Sequence, residues 1–467
     1  MIHLRELARR HAQEHVLRFW DDLSPDERAA LEADVRSVDF DLLTRLIEQG
    51  EAVHDWAEMA RGAEGPPAFR SGDTAGRFSP EEARRRAQDA MPHVAVVLVA
   101  GGQGSRLGFP HPKGMYRIGP VSGNSLFQIL MESTLAVGRR YGVRVPMFVM
   151  TSPATHEETA RYFAESERFG MAEEDVTLFC QGTMPAVDAS TGRLLLAEKH
   201  RLSLSPDGTG GILAAMQRDG VLDTFAARDI RHVYYLQVDN PLAPVCDPEF
   251  LGYHLLSGSE LSTLVVAKTH PLENLGNVVS IDGKVQILEY SDLSRVARDA
   301  PEVAKRTMAD GSPVFWAGNL GIHVIDVDFL RRVAGQEDSL PFHVATKKVP
   351  YLDEAGQTVR PETENAIKFE RFIFDLLPLA DEAIVVEADK STAFAPLKNG
   401  RGAEQDTPDS VKAQMIALHR DWLAAAGASV SDAARVEISP LFALDAGQLA
   451  QRLPRATKVD EDRYFAP

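Results

Sequence analysis

Residues 94–115 read VAVVLVAGGQGSRLGFPHPKGM, and the reading of this stretch decides the fold. Val94 to Ala100 form a continuous apolar run that stops at glycines, the pattern of a strand buried on both faces. Beyond it, Gly101, Gly102 and Gly104 stand where a backbone could curl around phosphate oxygens and aim successive N–H groups at them. Arg106 and Lys113 add positive charge to the same loop. A plain alternative is a tight glycine turn with incidental basic residues, because glycine loops are common. Two better-known phosphate motifs fail here. A dinucleotide fingerprint needs a third glycine where Leu107 stands, and a Walker loop needs a lysine directly after Gly108.

Working outward, similar apolar runs follow at Pro146 to Met150, Val176 to Cys180, Val233 to Val238 and Leu261 to Ala267. Helix-like stretches such as Ser125 to Arg139 and Thr155 to Phe169 lie between several of them. Alternation of this kind predicts an α/β fold with a Rossmann-like, mostly parallel sheet and its site at the strand ends. Strands near Val278 to Ile287 and Leu320 to Ile325 lack helical spacers, so the sheet is expected to be mixed. Residues 1–90 are read as an N-terminal helical arm, 91–395 as the catalytic domain and 396–467 as a small C-terminal appendage. Within the arm, Val16, Leu17, Phe19, Trp20 and Leu23 fall at helical spacing. Ser24-Pro25-Asp26-Glu27 and Ser79-Pro80-Glu81-Glu82 are capping boxes, and Arg61 to Phe78 reads as an exposed loop.

The chain has 467 residues, 44% of them apolar, which is enough for a sizeable core. A formal net charge of −18 argues against a surface that attracts nucleic acid or anionic membrane. Any phosphate site must then be a local cluster. Cys180 and Cys246 lack metal-ligand spacing and are expected to be reduced, buried thiols. The opening MIHLRELARRHAQEHVLRFW holds no long apolar run, which predicts no signal peptide or membrane span and a cytoplasmic location.

Asp239 follows the apolar run ending at Val238. A carboxylate there could hold Mg²⁺ between phosphates, although a strand-end Asp before Pro241 could equally cap a turn. The order G-G-x-G-S-R-L-G followed by P-K-G in residues 101–114 resembles the signature of sugar nucleotidyltransferases. Further blocks resemble the eukaryotic-type UDP-sugar pyrophosphorylases, and most of all the UDP-N-acetylhexosamine pyrophosphorylases. They are Gln181 to Ala186, Leu275 to Val279, Leu288 to Ser291, Ala317 to His323, Leu340 to Ala345, Ala366 to Asp375 and Pro396 to Asn399, in family order.

The resemblance implies that uracil lies against Gly101, Gly102 and Gln181, a glutamine amide offering both donor and acceptor to its edge. Asp207-Gly208-Thr209-Gly210-Gly211 is similar to the family's glycine-rich segment between uracil and sugar, with Thr209 where the family usually has asparagine. It further implies sugar contacts from Gly276, Glu289 and Asn319, Phe374 beside an N-acetyl group, and Lys398 on the sugar phosphate. Core packing is the ordinary use of a phenylalanine such as Phe374, and a surface loop the ordinary setting of a lysine such as Lys398. The implied reaction joins UTP to N-acetylglucosamine 1-phosphate, with Arg106, Lys113 and the loop amides on the departing pyrophosphate and Asp239 on Mg²⁺. Preference for glucose 1-phosphate or a broad sugar range is the alternative within the class. A silent nucleotide-sugar sensor is the alternative outside it.

Overall fold

Val94–Val99 becomes a strand because apolar side chains line both its faces, and the structure covers both. The computed structural model describes residues 2–50, 56–70, 77–336, 340–454 and 456–467. The chain divides into a smaller unit, Met1–His54, Gln181–Ala214 and Asp338–Asp375, and a larger one, Asp55–Cys180, Ala215–Glu337 and Leu376–Pro467.

The larger unit is built on a ten-stranded sheet. In chain order its strands are β1 (Ala68–Phe69), β2 (Val94–Val99), β3 (Met147–Thr151), β4 (Val176–Cys180) and β5 (His232–Gln237). There follow β6 (Leu261–Ala267), β7 (Asn277–Ile281), β8 (Lys284–Leu288), β9 (Ala317–Asp326) and β10 (Ala383–Ala388). Their spatial order is β1-β10-β6-β9-β5-β2-β3-β4, with β7 beside β9 and β8 beside β7. All pairs are parallel except those made by β9 and the β7–β8 hairpin. The expected mixed α/β sheet is present, and β9 is the strand that makes it mixed.

Side chains alternate between the faces of β2. Val94, Val96 and Leu98 enter a cluster with Phe127 and Leu130 of α2 (Leu126–Tyr141) and with Phe250 and Leu251 of α3 (Pro248–Ser257). Helix α1 (Pro80–Ala90) lies against α3 so closely that a Cβ on Gly252 would stand 2.0 Å from the Ala83 carbonyl oxygen. On the opposite face, Val97 and its strand neighbours Phe148 and Tyr235 are equally buried, and Phe148 meets Phe225 edge-on at 4.8 Å.

Both capping boxes are made: the Ser24 and Ser79 hydroxyls accept from the Glu27 and Glu82 amides, and each glutamate accepts in return. Three readings change. Residues 16–23 form two short 3₁₀ turns, Glu14–Leu17 and Trp20–Asp22, because Val16, Phe19, Trp20 and Leu23 are all drawn into the smaller unit's core. The stretch 61–78 is not all loop: Ala68 and Phe69 pair in parallel with Val385 and Val386, while residues 71–76 lie outside the described residues. The tail, read as a small appendage, contains the 18-residue helix Pro408–Ala425, capped by Thr407, and an apolar cluster of its own around Leu423, Val436 and Phe465. Within the smaller unit, His343–Lys347, Ala366–Glu370 and Val187–Asp188 form an antiparallel three-stranded sheet beside that unit's core.

Glu437 fastens the tail to the rest of the larger unit. Its buried carboxylate accepts from the Val121 amide at 2.7 Å, the Ser122 amide at 2.6 Å and the Ser122 hydroxyl at 2.7 Å. Glu437→Ala strands those donors and is expected to cost about 1–3 kcal/mol, or more given the charge. A urea midpoint equal to the parent's would contradict this tie.

Candidate active site

Parallel pairing of β2 with β5 sets the geometry, because Val99 faces Gln237 and the two strands end together. Past Val99 the glycine loop closes on itself. The Gly104 amide donates to the His111 carbonyl at 2.9 Å, and the Lys113 amide to the Gly102 carbonyl at 3.0 Å. Gly104 has to be glycine, since a Cβ there would lie 2.8 Å from the Phe109 carbonyl oxygen. The buried Ser152 hydroxyl donates to the Gly101 carbonyl at 2.7 Å and fixes where the loop begins. Space beside Gly102 is open, with no atom within 4 Å of where a Cβ would sit. Arg106 is exposed and its guanidinium makes no hydrogen bond or ion pair among the described residues.

At the end of β5, Asp239 and Asn240 divide two tasks. Asn240 is buried and shapes the turn: its side-chain oxygen accepts from the Leu242 and Ala395 amides, and its amide donates to the Ala393 carbonyl. The Asp239 carboxylate caps nothing, and its Oδ2 stands 3.8 Å from Lys113 Nζ. A turn-capping role for Asp239 is therefore excluded, because the neighbouring asparagine performs it. Asp239 also holds the segment carrying Lys398, its backbone carbonyl accepting from the Leu397 amide at 2.8 Å. Lys398 Nζ lies 5.8 Å from the Phe394 ring centre, and the Lys398 amide donates to the Asp406 carbonyl.

The larger unit thus brings together the glycine loop, Lys113, Asp239 and Lys398. It adds Asp406, which sequence reasoning missed. Burial raises the Asp406 carboxyl above the ordinary range, Lys398 pulls it down, and Asp239 pushes it up. Its only sequence signal was the acid just before Thr407-Pro408, the start of a helix.

A second group on the same sheet contains Gly276, Glu289 and Asn319. The Asn319 amide donates to the Gly276 carbonyl at 2.9 Å. A Cβ on Gly276 would stand 3.4 Å from Glu289 Oε1 and 3.7 Å from Asn319 Cβ. Since β9 runs antiparallel to β5, Asn319 near the start of β9 lies at the sheet edge where β5 ends. Lys268, also missed in the sequence, braces this group from behind. Its buried ammonium donates to the Asn277 side-chain oxygen and the Pro271 carbonyl, each at 2.5 Å, and burial lowers it to about 8.

The remaining candidates belong to the smaller unit. Gln181 is buried, and the backbone carbonyl of the next residue, Gly182, accepts from the Asp207 amide. Asp207 pairs with Arg371 at 3.0 Å, and Gly208, at φ +84°, passes so near the Arg371 carbonyl that a Cβ would be 2.3 Å from it. The Thr209 hydroxyl accepts from the Ile373 amide at 3.2 Å, which leaves its own proton to donate. Phe374 is half-buried and stacks on Phe372 with ring centres 4.9 Å apart. Asp207 and Arg371 form the frame of this group; both stood inside blocks picked out in the sequence, where neither drew a role.

A cavity of about 660 Å³ in the larger unit is lined by residues that include Tyr141, Cys246, His419 and Trp422 and by none of the candidate residues. Burial pushes the Cys246 thiol up well beyond its ordinary range, so it stays protonated.

Comparison with known proteins shows the family of this chain. A family model described as UTP–glucose-1-phosphate uridylyltransferase matches residues 46–446. The human UDP-N-acetylhexosamine pyrophosphorylase-like protein 1 is 36% identical over 92% of this chain and 87% of its own length. The UDP-N-acetylglucosamine pyrophosphorylase of Saccharomyces cerevisiae is 38% identical over 77% of this chain and 75% of its own. The solved structure of the uridine diphosphate N-acetylglucosamine pyrophosphorylase from Trypanosoma brucei, in complex with an inhibitor, covers 97% of each chain with a TM-score of 0.80 at 25% identity. With most of its length matched by that family model and by relatives above 30% identity, the chain belongs to the UTP–glucose-1-phosphate uridylyltransferase family.

Proposed function

We propose that this protein is a uridylyltransferase that makes UDP-N-acetylglucosamine and pyrophosphate from UTP and N-acetylglucosamine 1-phosphate. The observation that carries the reading is the assembly at the end of β5. Asp239 places its carboxylate beside Lys113 and its carbonyl under the segment bearing Lys398. Two lysines and a carboxylate at the mouth of a glycine loop suit a reaction between two phosphate groups. The names of the relatives support the sugar, while the family model's own description keeps glucose 1-phosphate as the second reading.

In this reaction an oxygen of the sugar 1-phosphate attacks the α-phosphorus of UTP in line. A new P–O bond forms, the α–β bridging bond breaks, and pyrophosphate leaves with the electron pair. The attacking phosphate is already ionised, so no protein nucleophile or base is needed. What the chain supplies is position and charge. Lys398 holds the sugar phosphate; Arg106, Lys113 and the amides around Gly104 take the departing pyrophosphate. Gly101, Gly102, Gln181 and Gly208 receive the nucleotide. Gly276, Glu289, Asn319, Thr209 and Phe374 receive the sugar, with the free Thr209 proton in place of the family's asparagine. Asp239 fits Mg²⁺, since its carboxylate makes no hydrogen bond among the described residues and that ion favours one or two carboxylates plus phosphate oxygens. Bound there, Mg²⁺ would supply charge neutralisation between the phosphates. We assign the protein to the cytoplasm; no described helix is long and apolar enough to cross a membrane, and the net charge is −18.

Assaying pyrophosphate release from UTP with a panel of sugar 1-phosphates tests the substrate. N-acetylglucosamine 1-phosphate should give the highest kcat/KM, and a preference for glucose 1-phosphate would overturn that choice. Arg106→Ala and Lys113→Ala should each lower turnover by about a hundredfold or more with unchanged circular dichroism. Near-parental turnover in either variant would remove it from the reaction.

Lys268 gives a pH signature. Its folded-state pKa of about 8 lies below the ordinary lysine value of 10.5. The unfolded chain therefore binds more protons between those values, and this group's destabilising effect is relieved as pH rises through that window. Stability of the parent relative to Lys268→Met should increase from pH 8 to pH 10.5. A difference that stays flat would mean the ammonium is not desolvated.

A further inference from the structure

At the end of the central strands opposite the glycine loop, His232, His254 and Asp326 converge. His232 begins β5 and is paired in register with Asp326 at the end of β9, while His254 comes from α3. His232 Nδ1 lies 2.6 Å from Asp326 Oδ1, and His254 Nε2 lies 3.0 Å from the same oxygen. One ligand atom from each residue falls within 4.8 Å of the other two. Seven residue steps along β5 and its extension separate His232 from Asp239, about 23 Å at strand rise. This cluster is thus remote from the phosphate chemistry.

Two further observations distinguish it from an ordinary hydrogen-bonded triad. First, Asp326 occupies the N-cap position of the helix Val327–Ala334, where aspartate normally accepts from the first turn, yet its side chain caps nothing. Its carboxylate is turned to the imidazoles instead. Second, the hydroxyls behind His254 are directed away from it. Ser259 Oγ donates to the Leu261 carbonyl at 3.1 Å, and Ser262 Oγ donates to Ser259 Oγ at 3.0 Å. Where Ser262 Oγ accepts from His254 Nδ1, 2.8 Å away, the hydrogen sits on Nδ1 and the Nε2 lone pair faces a carboxylate oxygen, acceptor against acceptor. That arrangement keeps the Ser259–Leu261 bond, and a cation shared by the three residues satisfies it.

We propose that His232, His254 and Asp326 form a binding site for a zinc-class divalent ion. Two imidazoles and one carboxylate suit zinc, whereas magnesium and calcium take oxygen ligands. Zinc–ligand bonds of about 2.0–2.2 Å put tetrahedral donors about 3.3 Å apart, so the three atoms need move only by tenths of an ångström to about 1.5 Å. Ser262 orients His254 through its second nitrogen, as an outer partner of a metal-bound imidazole does. His232 and Asp326 remain partly exposed, with side-chain exposures of 16% and 32%, which leaves a fourth position for water. The ion would tie β5, β9 and α3 together, a structural role independent of the transferase reading.

The full chain, stripped with chelator and free of nucleotide, is titrated with Zn²⁺ by calorimetry, and with Co²⁺ by visible absorption. The parent should bind one equivalent of zinc and show the Co²⁺ bands of a four-coordinate centre. His232→Ala and Asp326→Asn, checked for folding by circular dichroism, should weaken zinc at least tenfold and lose those bands. Asp239→Asn should bind zinc as the parent does. The proposal is overturned by a parent that takes up no zinc, by His232→Ala and Asp326→Asn variants that retain parental affinity, or by loss of zinc in Asp239→Asn.

Discussion

The parallel register of β2 with β5 is the constraint on which the larger unit's chemistry depends. Because Val99 and Gln237 are neighbours, the glycine loop and Asp239 leave the sheet side by side. Both strands are buried on both faces, so a shift by one residue would exchange the side chains fitted to the two packed faces. The core therefore fixes the relation between loop and carboxylate more firmly than contacts within the loop could. From that fixed point Asp239 reaches in two directions, to Lys113 through its carboxylate and to the Lys398 segment through its carbonyl.

This arrangement explains how an acidic protein can receive two anions. A net charge of −18 spreads over the whole chain, while Asp239 stands beside Lys113, holds the segment carrying Lys398, and faces the loop that also carries Arg106. Screening over about 8–10 Å lets such a cluster act against the background. Asp406 makes the balance finer. Its half-buried carboxyl responds to Lys398 and Asp239 in opposite senses, so the charge at the mouth of the loop is shared among more groups than the motif shows.

Much of the sheet was legible because strands buried on both faces leave continuous apolar runs, and Val94 to Ala100 is the plainest. The capping boxes at Ser24 and Ser79 were legible because their chemistry is local. Residues 16–23 misled because the same apolar spacing that suits a helix also suits consecutive 3₁₀ turns pressed onto a core. The two units are each made of separated segments, and contacts between distant segments leave no mark in linear composition. At the site, loop glycines and strand-end acids carried a local signal. Lys268 and Asp406 did not, since what sets them apart is burial beside particular partners. The turn-capping alternative for Asp239 fell only when Asn240 was seen to shape the turn.

The central claim is that this chain promotes direct displacement at the α-phosphorus of UTP by position and charge, with no covalent enzyme intermediate. The most direct measurement is the stereochemical course with UTP made chiral by sulfur at the α-phosphorus and N-acetylglucosamine 1-phosphate as acceptor. A single in-line attack predicts inversion of configuration in the UDP-sugar product. Retention, which requires two successive displacements through a protein nucleophile, would contradict the account.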